Sequence, residues 1–152
     1  MYSEKVMKYF KSPKNMGKIK NADGVGKVGN IACGDILVLY IKVIKKNGKE
    51  IISNIKVETL GCAAAIATSS MVTELAKGKT LEEAMKISKD TIAKELGGLP
   101  PIKLHCSVLA VDALKEAIYD YYTKSRKPVS DDLEKDHKRI KKEYENVCQK
   151  HG

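Results

Sequence analysis

Three cysteines stand where the chain changes from one element to the next, and each has neighbours suited to metal or sulfur chemistry. Cys33 lies in Asn30-Ile31-Ala32-Cys33-Gly34-Asp35, just ahead of an apolar run. Gly34 removes bulk beside the sulfur, and Asp35 puts a carboxylate two residues away. Cys62 lies in Leu60-Gly61-Cys62-Ala63, at the junction of an alternating stretch and a small-residue helical one. Cys106 follows His105 and the string Leu99-Pro100-Pro101-Ile102-Lys103-Leu104. A Pro-Pro pair predicts an extended, stiff lead-in with no helix immediately before it. After it, Ala110, Val111, Leu114, Ala117, Ile118 and Tyr121 share one helical face. Cys106 is thus expected at a helix start, where the first N–H groups lack intrahelical partners and the dipole is positive. Such a place favours thiolate, the form that binds metal and attacks sulfur, and Lys103 adds positive charge. Cys106 is therefore expected to be well populated as thiolate. Three thiols, one imidazole (His105) and one carboxylate (Asp35) form a donor set for Zn²⁺ or an iron–sulfur cluster. Any one of these cysteines alone reads more simply as a small buried hydrophobe. Three of them, each beside a glycine or a helix start, read better as ligands.

The elements that must bring these residues together follow from periodicity and punctuation. Residues 2–11 form a short amphipathic docking helix. The string Gly24-Val25-Gly26-Lys27-Val28-Gly29 has the G-x-G-x-x-G form, but a dinucleotide site needs a strand before it and a helix after it. Neither is present, so residues 24–29 are a flexible or edge-strand segment. Residues 35–46 make a largely buried strand, Asn47-Gly48 a type I′ hairpin turn, and residues 51–60 the returning strand. Alternation puts Ile51, Ile55 and Val57 on one face. Gly61 ends that strand, and a small-residue helix runs from Cys62 through Lys77, closed by Gly78. Thr80 and Glu83 form a capping box for a short helix with Leu81, Ala84 and Met85. Another short helix, about residues 90–96, stops at Gly97-Gly98, and a long one covers residues 104–124. Pro128 and Ser130 introduce a last charged helix with Leu133, Ile140, Tyr144 and Val147 at heptad-like spacing. Strands first and helices later mean an α+β fold: a small three-stranded antiparallel sheet with helices on one face. A C-terminal helical extension over 128–152 follows a main domain over 1–127. The thin apolar stripe of this extension suggests that it lies on the surface or contacts a neighbour, and that it is dispensable for the chemistry.

Composition narrows the setting. At 152 residues the chain is long enough to bury one core, and with no Trp and one Phe that core must be aliphatic. No secretory signal is visible, and the longest uncharged run is too short and too polar to span a bilayer, so a cytoplasmic location is expected. In that compartment four cysteines point to thiols or ligands rather than disulfides. The net charge of +9 suggests acidic partners, but the lysines are spread along the chain without a recognition motif. A solvated basic surface is the better reading, with no nucleic acid and no membrane.

The motifs around Cys33 and Asp35, around Cys62, and around Leu99-Pro100-Pro101-Ile102-Lys103-Leu104-His105-Cys106-Ser107 closely resemble, in order, those of IscU/NifU-type iron–sulfur cluster assembly scaffolds. The resemblance covers about residues 9–127. It implies that Cys33, Cys62 and Cys106 ligate a nascent [2Fe–2S] cluster, with Asp35 or His105 as the fourth ligand. It implies further that sulfur arrives as a persulfide from a PLP-dependent cysteine desulfurase, and Cys106, with its helix start and the nearby Lys103, is the expected acceptor. Leu99, Pro100, Pro101, Ile102 and Lys103 would be the peptide recognised by a DnaK-class chaperone and its co-chaperone, which promote release to apo iron–sulfur acceptor proteins. Such a scaffold is not a turnover enzyme. It should use fewer than four thiolates, because an oxygen or imidazole ligand leaves a soft iron–sulfur unit more readily.

Two departures stand out. Ala63 occupies a place where many members carry Gly, and nothing carries over to residues 128–152, where Cys148 and His151 read as part of a frayed terminus. The nearest alternative is a zinc-dependent SufU-type sulfurtransferase using the same cysteines, with zinc bound in the purified protein. That group typically has an insertion before the third Cys and lacks the Leu-Pro-Pro-x-Lys peptide. A protein with a purely structural Zn²⁺ is a second alternative.

Overall fold

Strict alternation organises the sheet. The computed structural model describes residues 2–30 and 34–151, with side chains over 2–29 and 34–146. Strand β1 (Gly24–Asn30) pairs antiparallel with β2 (Asp35–Lys46), which pairs antiparallel with β3 (Lys49–Leu60), in the order β1-β2-β3. Residues 24–30 are therefore an edge strand. Along β2, Asp35, Leu37, Leu39 and Ile41 are buried and their neighbours less so, the period-2 signature of a sheet with one covered face. At the tip, Asn47 and Gly48 both have positive φ (53° and 76°), as a type I′ turn requires.

The returning strand departs from the expected alternation. The register jumps from Lys42↔Asn54 to Val43↔Ile52, so Ser53 is an extra residue and β3 carries a bulge. The bulge reverses the phase beyond it. Ile52, not Ile51, joins Ile55 and Val57 in the core, and Ile51 is only partly buried.

Helices cover the inner face of this sheet. They are α1 (Glu4–Lys11), α2 (Ala63–Ala76), α3 (Leu81–Met85), α4 (Lys89–Glu95), α5 (His105–Lys124) and α6 (Asp131–His151). The Thr80/Glu83 capping box of α3 is formed in both directions. The longest core helix, α5, lies directly on β1, and two glycines of the G-x-G-x-x-G string explain how. A Cβ at Gly24 or Gly26 would collide with the backbone carbonyl oxygens of Ala117 and Ala113 respectively. The glycines serve close strand–helix contact. Tyr121 and Lys127, at the far end of α5, both donate to Glu50 beside the hairpin tip, which locks the helix end to the sheet.

The C-terminal helix is docked. It packs across β1 and α5, with Ile140 in the main core cluster and Leu133 buried. Arg139 makes a two-pronged ion pair with the buried Asp112 at 3.0 and 3.1 Å. His137 stacks on Tyr119 with ring centroids 3.8 Å apart, and its Nδ1 lies 2.6 Å from Glu116 Oε1. Burial pushes the Glu116 carboxyl up, and the His137 ring partly offsets that rise.

The Pro-Pro lead-in also differs from expectation. Pro100 is extended (φ −56°, ψ 142°), but Pro101–Lys103 forms a 3₁₀ turn that runs into α5 through Leu104, itself in helical conformation. Proline is at home in the first turn of a helix, where its missing N–H has no partner to lose.

Candidate metal centre

The phase of β2 that buries three aliphatic residues also turns the Asp35 side chain inward, and Asp35 is 4% exposed. Beneath it are the starts of α2 and α5. Cys62 is the N-cap residue of α2, and Cys106 is in the first turn of α5. A sheet edge and two helix starts thus converge, and the atoms meet. Cys62 Sγ is 3.9 Å from Cys106 Sγ, and each sulfur is 3.9 Å from Asp35 Oδ2. His105 Nε2 is 3.6 Å from Cys106 Sγ. Donor atoms of Asp35, His105 and Cys106 all lie within 4.8 Å of one another. Cys62 is half-buried and Cys106 is fully enclosed.

Cys33 lies outside the described residues, as do Ile31 and Ala32. Their flanks are placed: Asn30 pairs with Asp35, and Gly34 adopts a left-handed φ of 72°. Of the expected ligands, Asp35, Cys62, His105 and Cys106 are therefore brought together.

The 3.9 Å between the two sulfurs and the 3.6 Å from His105 to Cys106 fit a tetrahedral ion. Two Zn–S bonds of about 2.3 Å at the tetrahedral angle place the sulfurs about 3.8 Å apart, and one sulfur with one nitrogen or oxygen about 3.6 Å apart. The wall around the donors is small and apolar. Ala64, Ala65 and Cys106 form a buried cluster, with Tyr2, Cys62 and Leu99 packed against it. Lys103 sits at the mouth. The Cys62 sulfur beside it, more than Cys106, holds the Lys103 ammonium above its usual range. Among residues 99–103, Ile102 is 79% exposed, Pro101 is exposed, and Leu99 and Pro100 are half-buried.

Sequence reasoning missed two contributors. The sequence marks Gly61 only as a strand terminator. A Cβ there would stand 2.8 Å from Asp35 Oδ1 and 3.0 Å from Ala65 Cβ, so the missing side chain is what lets the carboxylate reach the sulfurs. A glycine directly before a junction cysteine was the available signal. Tyr2 is brought in from the far end of the chain, and no local pattern announces that contact.

The same arrangement of elements occurs in known proteins. A family model described as the NifU-like N-terminal domain matches residues 1–128. The chain is 60% identical over 127 residues to the iron–sulfur cluster assembly scaffold protein IscU 1 of Archaeoglobus fulgidus, covering 84% of this chain and 80% of that one. It is 51% identical over 126 residues to IscU of Escherichia coli K12, covering 81% of this chain and 95% of that one. Among solved structures it resembles a putative scaffold for the SUF system from Fervidobacterium islandicum (TM-score 0.60, 30% identity, 77% of this chain and 96% of that one). A NifU-like protein from Brucella abortus, 19% identical with a TM-score of 0.60 over 80% of this chain and 94% of that one, shares the fold.

Proposed function

Because the chain belongs to the family of NifU-like N-terminal domains, we propose that it is a scaffold for iron–sulfur cluster assembly: a [2Fe–2S] cluster is built on it from iron and desulfurase-derived sulfur, then passed to acceptor proteins. The observation that carries this reading is the meeting of Cys62, Cys106 and Asp35 at mutual distances of 3.9 Å from three elements distant in sequence. The cluster is cargo. Cys33, Cys62 and Cys106 supply thiolates, and Asp35 or His105 the fourth, more labile ligand. Two soft anions and a carboxylate packed together repel one another when ionised, so the site favours an incoming cation. Lys103 offsets part of that charge at the mouth and can draw in an anionic persulfide.

Cys106 is the proposed sulfur acceptor, fed by a PLP-dependent cysteine desulfurase. It is enclosed in the described state, whereas Cys62 is half-open and closer to the Lys103 charge. The two are separated by mass spectrometry of single Cys→Ser variants after sulfur transfer. An undiminished persulfide in Cys106→Ser assigns delivery to another cysteine. Exposed Pro101 and Ile102, with Leu99, Pro100 and Lys103, form the segment offered to a DnaK-class chaperone and co-chaperone in the cytoplasm.

A second reading has one observation in its favour. The 3.9 Å sulfur separation matches two ligands on one tetrahedral ion, so Zn²⁺ can occupy the site, as in a zinc-dependent sulfurtransferase. Anaerobic incubation with iron, cysteine and a desulfurase tests the two. A thiolate-to-iron charge-transfer band supports the scaffold. A colourless protein that retains zinc supports the alternative.

A further inference from the structure

Helix starts in this protein fall into two groups. α1, α3, α4 and α6 each begin on a hydroxyl that accepts a hydrogen bond from a first-turn N–H, supplied by Ser3, Thr80, Ser88 and Ser130. Among the described residues, α2 and α5, the two that carry Cys62 and Cys106, have no side-chain cap, and the 3₁₀ turn ahead of α5 has none either. The nearest hydroxyl to the α5 start is that of Ser107. It is 1% exposed, and among the described residues its Oγ has no hydrogen-bond partner. Other buried hydroxyls behave differently: Thr68, Ser69 and Thr73 each donate to the carbonyl three residues earlier. For Ser107 that carbonyl, on Leu104, accepts from the residue's own backbone N–H at 3.1 Å. A buried hydroxyl without a partner destabilises the state that contains it.

We propose that α5 has two starting points, and that Ser107 is the positioning residue that selects between them. In the closed form α5 begins at His105 and seals Cys106. In the open form residues 99–106 detach, so that the 3₁₀ turn and the first residues of α5 unwind, α5 begins at Val108, and Ser107 becomes the N-cap. Its Oγ then accepts from the backbone N–H of Leu109 or Ala110, as serine does at helix starts. Little apolar burial is lost on opening, because Ile102 is 79% and Leu104 45% exposed already. The burial given up is mainly that of Cys106 and Leu99 and of the small Ala64 and Ala65 side chains they cover. Opening satisfies the orphan hydroxyl and turns an enclosed sulfur outward. The proposal rests on the scaffold reading only for its purpose, delivery of sulfur to Cys106.

The test uses the full metal-free chain, so its failure leaves the scaffold reading standing, and failed cluster assembly leaves this one standing. Threonine and valine match in shape and differ in capping ability, so Ser107→Thr and Ser107→Val are compared, with Ser107→Ala in case the valine does not fit. Iodoacetamide labelling is followed cysteine by cysteine by mass spectrometry, alongside residue-resolved amide exchange. Ser107→Val and Ser107→Ala are expected to slow labelling of Cys106 by about five-fold relative to Ser107→Thr, the usual size of an N-cap effect, with Cys62 unchanged. In the parent, amides of residues 104–110 are expected to exchange faster than those from Val111 onward, whose i−4 carbonyl partners stay helical. Loss of a buried hydroxyl alone would not place a boundary there. Equal Cys106 labelling in the threonine and non-capping variants would overturn the proposal. So would exchange of residues 104–110 in step with residues 111–118.

Discussion

At the scale of single residues, the site turns on one carboxylate and one missing side chain. As proposed, Asp35 would be a hard ligand beside soft thiolates, and its charge would add to theirs. Asp35→Ala is expected to leave assembly possible while making the assembled cluster longer-lived, because a group that can swing away and admit an acceptor's thiol is gone. Cluster decay and thermal melting on the same variant check this, and faster decay than in the parent refutes it. A side chain that merely satisfied backbone donors would instead change stability by about 1 kcal/mol and leave the lifetime unchanged. Gly61→Ala approaches the same question from the other side. Its Cβ would lie 2.8 Å from Asp35 Oδ1, so the carboxylate must turn off the sulfurs. Zinc affinity should then drop by about ten-fold, as when a metal site loses a group that orients a ligand. A competing chelator measures this, and unchanged affinity shows that Asp35 takes no part in holding metal.

At the scale of elements, the bulge in β3 is the feature most open to a direct test. Because Ser53 is an extra residue, Ile52 is fully buried and Ile51 is not. Ile52→Ala is expected to cost about 3 kcal/mol, a typical core truncation, and Ile51→Ala about 1 kcal/mol or less. Urea unfolding of the pair reads the phase of the strand. The reverse ranking would mean that β3 pairs without a bulge. Gly24 and Gly26 show how one element's sequence can serve another. Without side chains they let α5 lie on β1, and the other end of α5 carries His105 and Cys106.

At the scale of the whole molecule, α6 adds stability to a body that the family match already spans. The match ends at residue 128, whereas packing continues through Leu133 and Ile140. Truncation after Lys127 is expected to leave cluster assembly intact and to lower Tm, since it strips cover from α5 and β1. Arg139→Ala should account for about 2 kcal/mol of that loss, because Asp112 is 5% exposed and would lose a two-pronged charged partner. Thermal melting of both variants and cluster assembly on the truncated chain check these outcomes. Alkaline pH offers a second whole-molecule probe. Tyr9, donating to Glu74, is raised to about 12 mainly by that hydrogen bond. Tyr40, donating to Glu58, is raised to about 12 with burial as the larger cause. A raised folded-state pKa contributes stability that is complete below the unfolded value near 10 and is lost as pH climbs through about 12. Urea midpoints should therefore fall between pH 10 and 12, in step with tyrosinate absorbance. A flat profile would refute it.

Much of this protein is legible in its sequence because the signals are local. The strand over 35–46, the Asn47-Gly48 turn, the Thr80/Glu83 cap and the glycine stops depend on neighbours a few residues away, and the structure has them as read. The nominated donors are marked locally too, each cysteine by its own Gly, Asp or His, with Cys33 outside the described residues. What only the tertiary structure decided involves partners distant in sequence. A one-residue bulge inverted the face of Ile51 and Ile52, because strand phase depends on the pairing register across β2. Gly24 and Gly26 proved to be contact points for α5, because the need for an absent Cβ comes from a helix about ninety residues later. The charged tail docked, because Asp112 and Glu116 on α5 supplied the partners that its thin apolar stripe lacked. The 3.9 Å meeting of Cys62, Cys106 and Asp35 belongs to the same class: composition can nominate ligands, but only the packing of a sheet edge against two helix starts sets their distances.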